Sequence, residues 1–334
     1  MERSKVAILG GGSWGTTTAS VISRQCDTLL WARDSQIVAE INEQHTNQRY
    51  LDSATLNPKL SATTDIGHAV RDAQVVLIAV PSSHFREVLN SALANLPNSI
   101  PVISLSKGLE KGSRMRMTEI IQDVAPGRIP GVLTGPNLAR EIVAGQAAAS
   151  VLALEDYTAA LSLQPLLNVG LFRVYTNEDV IGCELGGVLK NIIAIAVGMG
   201  DGLGAGDNTR AALITRGLAE MSRLGRALGG SAETFAGLAG MGDMIATCTS
   251  PQSRNRHVGI ELAKGRAIQD IIDSMHMVAE GVKSASTVIE LAHEHGIELP
   301  ISEDVYRVIT GESNARGVYR GLLRVTAGAE SEPG

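Results

Sequence analysis

The stretch KVAILGGGSWGTT, Lys5–Thr17, runs apolar residues straight into three glycines, a serine, a tryptophan and a fourth glycine. Gly10, Gly12 and Gly15 satisfy the spacing G-x-G-x-x-G, directly after a β-rich run and at the start of a helical pattern. In that context the spacing binds a dinucleotide. Gly10 is read as the turn, Gly12 as the position where a pyrophosphate approaches the backbone, and Gly15 as the point where helix and strand pack closely. The anion then sits at the helix N-terminus. A glycine-rich turn without a ligand would carry the same residues, so the rest of the chain has to supply the context.

It does so by alternation. KVAIL, TLLWA, VVLIAV and PVISLS are β-rich, and helical patterns follow them at Thr16–Arg24, Gln36–Gln44, Phe85–Leu96 and Met115–Val124. Strands interleaved with helices of this length predict a parallel sheet covered on both faces. GVLTG, AASVLAL and LFRVYT add further strands, and beyond about Glu178 the strand signals stop. VLKNIIAIAVGMG and TRAALITRGLAEMSRLGRAL read as buried or amphipathic helices. The expected fold is therefore α/β: a Rossmann-like, mostly parallel sheet domain followed by an all-helical C-terminal domain. Residues 1–178 are expected to bind the dinucleotide, and 179–334 to form the helical substrate-binding and catalytic domain; AGAESEPG at the end reads as a frayed tail.

Composition narrows the function classes. A chain of 334 residues favours two domains. The 29 basic against 35 acidic residues argue against a nucleic-acid partner for the chain as a whole. Cys26, Cys183 and Cys248 are scattered and odd in number, with no ligand-like spacing, so neither disulfides nor a metal site is expected and a reducing compartment fits. There is no run of signal-peptide character, and no stretch is read as approaching the roughly 20 apolar residues of a membrane span. The expectation is a cytoplasmic protein without stable membrane insertion; a homodimer is one possible assembly.

Cofactor choice turns on LLWARDS, where Arg33 precedes Asp34 at the end of the second β-rich run. An acid about 20 residues past the glycines ordinarily takes the ribose hydroxyls of NAD, whereas a guanidinium clamps the 2'-phosphate of NADP. Arg33 points to NADP without excluding NAD; the plainer alternative makes Arg33 a solvated loop residue and Asp34 the cap of the next helix.

Three segments carry candidate chemistry. Lys107 in SLSKGLE follows a strand, and Pro81 and Ser82 follow another, at the ends where an open parallel sheet places its crevice; a lone lysine there is equally a loop charge. Lys190 lies in CELGGVLKNIIAIAVGMG, a helix too apolar for the surface. Desolvation of its ammonium makes proton exchange near neutrality accessible, the alternative being a lysine that snorkels to water. Asp243 sits in a glycine-rich turn, and Ser253, Arg254, Asn255 and Arg256 precede a helical pattern. Ser253 as N-cap, with the following amides, Arg254 and Asn255, makes an anion site. Together with a buried lysine these point to a small phosphorylated substrate.

Taken together the residues resemble the bacterial NAD(P)-dependent glycerol-3-phosphate dehydrogenases. The stretches that carry the resemblance run in order through GGGSWGT, LLWAR, SKGLE, GPNLAREI, LKNIIAIAVGMGDGLGAGDNTRAALITRGLAEMSRLG, GLAGMGDMIATCTSPQSRNRHVG and AEGVKSA, nearly the whole chain. The resemblance implies reversible reduction of dihydroxyacetone phosphate to sn-glycerol 3-phosphate with NADPH or NADH, feeding glycerophospholipid synthesis, and no metal. It implies cofactor roles for Ser13, Trp14, Arg33, Lys107, Ala139, Arg254, Val278 and Glu280. It implies substrate roles for Lys107, Gly135, Asn137, Lys190, Asp243, Ser253, Arg254 and Asn255, with Lys190 as the proton acceptor. Asp243 is then expected to act catalytically by holding Lys190 or a substrate hydroxyl in place. Asn137 departs from the usual serine or threonine after GP, and Ala279 from a frequent valine. The rival readings are a 3-hydroxyacid dehydrogenase of similar domain plan and a non-catalytic NADP-sensing module.

Overall fold

The computed structural model describes residues 4–275 and 279–322. Among them the chain forms two compact units: one of residues 4–110 and 115–180, the other of 111–114 and 181–322.

The first unit is built on one sheet of eight strands: β1 Lys5–Leu9, β2 Asp27–Trp31, β3 Ser61–Thr63, β4 Val75–Ile78, β5 Pro101–Ser104, β6 Ile129–Thr134, β7 Ala148–Ala153 and β8 Phe172–Asn177. Their order is β3-β2-β1-β4-β5-β6-β7-β8. Every neighbouring pair is parallel except β6 and β7. The strands are apolar on both sides because both sides are covered. Val6, Ile8, Val75 and Leu77 belong to one hydrophobic cluster, while Ala7, Leu9, Val76 and Ile78 belong to a second. The two-residue period of a strand thus splits each run between two cores, which is the doubly wound arrangement expected. β3 escapes a reading by pattern because SAT is three residues long; its pairing with β2 makes it a strand.

Past Asn177 the described residues hold helices and no strand. The longest is Val180–Gly202, whose middle is wholly buried. It corrects the expectation that no stretch approaches membrane-span length: it has 23 residues with a mean hydropathy of 1.8 over its most apolar window. That window is 94% buried within the protein, so its apolar surface is spent on the helical core. Helix Arg254–Ala263 crosses it at backbone contact. A Cβ at Gly198 would lie 2.0 Å from the carbonyl oxygen of Arg256, and one at Gly259 2.1 Å from that of Ile195. Any side chain at either position would push the helices apart. These two glycines therefore fix where the start of Arg254–Ala263 lies against the helix that carries Lys190.

Candidate functional site

In the first unit the glycine turn sits where the strand order reverses between β1 and β4. Gly10 has φ +128°, and a Cβ there would come 2.4 Å from the carbonyl oxygen of Ala79, just past β4. A Cβ at Gly15 would overlap the carbonyl oxygen of Gly10 at 1.9 Å, so the turn folds back directly onto helix Ser13–Ile22. Gly12 differs: a Cβ there would meet no protein atom within 4 Å. Gly12 is also the N-cap, with no capping side chain and no acid in the first turn of the helix. An uncapped, positively polarised helix end behind an open glycine fits a pyrophosphate.

The residues around the turn are arranged as follows. Ser13 is half-buried, and Trp14 packs edge-on against Phe172 at 6.1 Å between ring centroids, its Nε1 buried with no protein partner among the described residues. The carbonyl of Ala139 accepts from Thr17 Oγ1 at 3.3 Å, which brings helix Ala139–Val143 to the helix of the glycine turn. Arg33 is exposed at the end of β2. Asp34 caps helix Ser35–Gln44, accepting from the Gln36 amide at 2.9 Å. Lys107 Nζ donates to the Gly135 carbonyl at 3.0 Å, and Gly135 has φ +130°. Asn137 accepts from Ser150 Oγ at 2.5 Å through Oδ1, while its Nδ2 is buried with no protein partner among the described residues. The amide at this departing position therefore presents a donor where serine or threonine would present a hydroxyl.

The second unit gathers the other set. Lys190 and Asp243 are 5% and 1% exposed and form an ion pair in the helical core. Lys190 Nζ also donates to Thr247 Oγ1 at 2.7 Å. Asp243 opens helix Asp243–Thr249, so Thr247 lies one turn along on the same face. Thr247 was not among the sequence candidates; its four-residue spacing from Asp243 is the signal that could have found it. Paired and hydrogen-bonded, the buried ammonium does not snorkel.

Ser253 Oγ accepts from the Arg256 amide at 3.2 Å and caps helix Arg254–Ala263 as expected. Asn255 is buried, donating through Nδ2 to Asn191 Oδ1 at 2.9 Å and accepting from the Gly281 amide at 3.0 Å. It thereby joins the Lys190 helix to the start of helix Glu280–Glu294. Arg254 is exposed by surface area, yet protein atoms around its guanidinium lower its pKa by desolvation, with the Glu280 carboxylate opposing. The side chain is open to solvent, and the group stays a cation. Arg256 is turned away from this set: Nε donates to Asp201 Oδ2 at 2.7 Å, and Asp201 also binds Arg210 Nη2 at 2.8 Å. Asp201 gave no sequence signal as the acid between two arginines. Cys248, beside the ion pair, has its thiol pushed up to about 12 by burial. Val278 lies outside the described residues.

Comparison with known proteins covers both units. The family model described as NAD-dependent glycerol-3-phosphate dehydrogenase N-terminus matches residues 5–160, and that of the C-terminus residues 179–320. A relative from Sphingopyxis alaskensis named glycerol-3-phosphate dehydrogenase [NAD(P)+] 2 is 63% identical over 332 residues, covering 99% of this chain and 100% of its own. One from Mycobacterium avium, glycerol-3-phosphate dehydrogenase [NAD(P)+], is 51% identical over 331 residues, covering 99% and 97%. The crystal structure of glycerol-3-phosphate dehydrogenase from Coxiella burnetii superposes with a TM-score of 0.91 at 38% identity, covering 97% of this chain and 99% of its own.

Proposed function

This chain belongs to the NAD-dependent glycerol-3-phosphate dehydrogenase family and carries out the NAD(P)-linked interconversion of dihydroxyacetone phosphate and sn-glycerol 3-phosphate, and we propose how its residues divide that work. Residues 1–178 form the domain whose glycine turn receives the dinucleotide, and 179–334 the helical domain that supplies the proton-transfer group. NAD(P)H, when bound, supplies the hydride. The chain's own task is to bind, orient and move one proton.

Gly10, Gly12, Ser13, Trp14 and Gly15 receive the dinucleotide at the uncapped helix end, Ala139 stands beside that helix, and Arg33 takes the 2'-phosphate of NADP. Arg254, Val278 and Glu280 complete the cofactor contacts. Lys190 Nζ gives a proton to the carbonyl oxygen of dihydroxyacetone phosphate on reduction and removes it from the hydroxyl of sn-glycerol 3-phosphate on oxidation. Asp243 and Thr247 hold the ammonium in one orientation, so the reacting oxygen meets a preset donor. Ser253, Arg254 and Asn255 grip the phosphate, and Lys107, Gly135 and Asn137 have substrate-binding roles as well. Binding energy from the phosphate orients the reacting centre, a use of remote contacts that raises turnover. The reaction runs in the cytoplasm, in the direction that feeds glycerophospholipid synthesis, without membrane insertion.

The single observation that supports this reading most is the Lys190–Asp243 pair, a charged group held in the middle of an apolar helix. The test compares NADPH oxidation with dihydroxyacetone phosphate and with dihydroxyacetone. The phosphorylated ketone is expected to be turned over and the free ketone to be a very poor substrate. Comparable kcat/KM for the two would remove the phosphate site, and near-normal turnover in Lys190→Ala would remove the proton-transfer assignment.

A further inference from the structure

The acid at the end of β2 is engaged on both of its oxygens. Asp34 Oδ1 accepts from the Gln36 amide at 2.9 Å, and Oδ2 pairs with Arg49 Nη1 at 3.3 Å. An aspartate in this place ordinarily accepts the ribose hydroxyls of NAD. Here a guanidinium stands on it instead.

Arg49 is held there by contacts that reach back to the glycine turn. Its helix, Gln48–Leu51, is preceded by Asn47, which is fully buried and donates through Nδ2 to the Gly11 carbonyl at 3.0 Å and to Thr16 Oγ1 at 2.9 Å. Glu40 Oε1 accepts from Thr46 Oγ1 at 2.8 Å and from the Gln48 amide at 2.7 Å, pinning the same segment from the other side. Gly11 abuts the end of β2 so closely that a Cβ there would lie 2.6 Å from the Cβ of Ala32. Turn, strand end and short helix are thus one assembly. Arg49 lies over the Tyr50 ring at 5.4 Å, and its side chain is 60% exposed. Among the described residues its Nε and Nη2 donate to no protein acceptor, and Arg33 has no partner at all.

We propose that Arg49 is a second determinant of cofactor selection beside Arg33: it withdraws the Asp34 carboxylate from the ribose and offers its free N–H groups to the 2'-phosphate of NADP. The electrostatics follow directly. A bare carboxylate would repel a phosphate dianion; paired with Arg49 and flanked by Arg33, the same aspartate sits in a locality with a net positive charge. A planar guanidinium matches phosphate geometry, as an ammonium does not. Asn47 acts as a positioning residue, holding the Arg49 segment against the turn. The proposal rests on the assignment of Arg33 to the 2'-phosphate, and its test separates the two.

The experiment measures binding of 2',5'-ADP and 5'-AMP by titration calorimetry to the full chain and to Arg49→Gln, Arg49→Lys and Arg33→Gln, with NADPH and NADH as a second pair of probes. These nucleotides report the adenosine end without turnover. Arg49→Gln is expected to weaken 2',5'-ADP about tenfold and to leave 5'-AMP within about twofold, the low end for a charge-assisted hydrogen bond at an exposed site. Arg49→Lys is expected to recover only part of that loss, and NADH affinity is expected to hold or rise as Asp34 is released. Loss for Arg33→Gln with none for Arg49→Gln would overturn the proposal and leave the Arg33 assignment standing. No loss in either variant would overturn both. Equal weakening of 2',5'-ADP and 5'-AMP by Arg49→Gln would mean a general disturbance of the turn and would also overturn it.

Discussion

Replacing Lys190 by Met is the sharpest way to separate what the buried ion pair does for the fold from what it does for the reaction. In the native protein the side chains of Lys190 and Asp243 are 6% and 2% exposed, so neither charge has water to fall back on. Removing one partner of such a pair leaves the other charge uncompensated and costs about 3–5 kcal/mol. For a cooperative unit of about 150–200 residues, each kcal/mol moves the midpoint by about 2–4 °C, so Lys190→Met should lower Tm by roughly 6–20 °C. The double variant Lys190→Met/Asp243→Asn removes both charges. It should regain most of that stability, because a neutral amide beside Thr247 and a methionine costs far less than a lone carboxylate. Activity should not return with it: loss of a positioned proton donor costs about 10²–10⁴ in kcat/KM whatever the stability. The assay is calorimetric unfolding of the wild type, both single variants and the double variant, alongside NADPH oxidation with dihydroxyacetone phosphate at a temperature where all four are folded. A Tm for Lys190→Met within about 1 °C of wild type would refute the reasoning about the buried charge. Activity that recovers in the double variant, with all four proteins folded, would show that the reaction does not need a proton donor at position 190.

Glu220, 2% exposed, accepts from the Ile301 amide, the Ser302 amide and Ser302 Oγ at the start of helix Pro300–Ile309, and burial raises its pKa above the ordinary 4.5 against those bonds. A raised folded-state pKa means a contribution present below the unfolded value and lost as pH rises through the folded one; the stability gap between wild type and Glu220→Gln, from urea unfolding across pH, should shift toward the variant as pH rises, and a pH-independent gap would refute this. Cys26, Cys183 and Cys248 are all buried, and the Cys248 thiol is pushed up to about 12. Iodoacetamide at neutral pH should therefore leave Cys248 unlabelled until the protein is denatured, as read by mass spectrometry of its peptide. Gly15→Ala puts a methyl 1.9 Å from the Gly10 carbonyl oxygen, so the turn must shift, at a cost of about 1–3 kcal/mol, and NADPH binding should weaken with it; unchanged binding by titration would count against the turn as the dinucleotide site.

Features that depend on short-range chemistry are legible along the chain. The glycine turn is legible because Gly10 and Gly15 answer to backbone contacts within the turn and the neighbouring strand, and those demands recur as a spacing. The doubly wound sheet is legible because strands covered on both faces read as unbroken apolar runs, and the all-helical second half because its apolar periodicity changes. Ser253 announced its cap by standing just before a helical pattern. Contacts between distant segments are not legible in this way. The antiparallel pairing of β6 with β7 leaves no mark in either strand, since both orientations need the same apolar residues. Thr247 meets Lys190 across 57 residues of chain, from a helix of its own. Asn255 meets Asn191 across 64, through a helix crossing set by Gly198 and Gly259. Arg49 reaches Asp34 because Asn47 ties its segment to the glycine turn. Such meetings are set by how helices and loops come together, and a polar side chain carries no periodicity that names its partner.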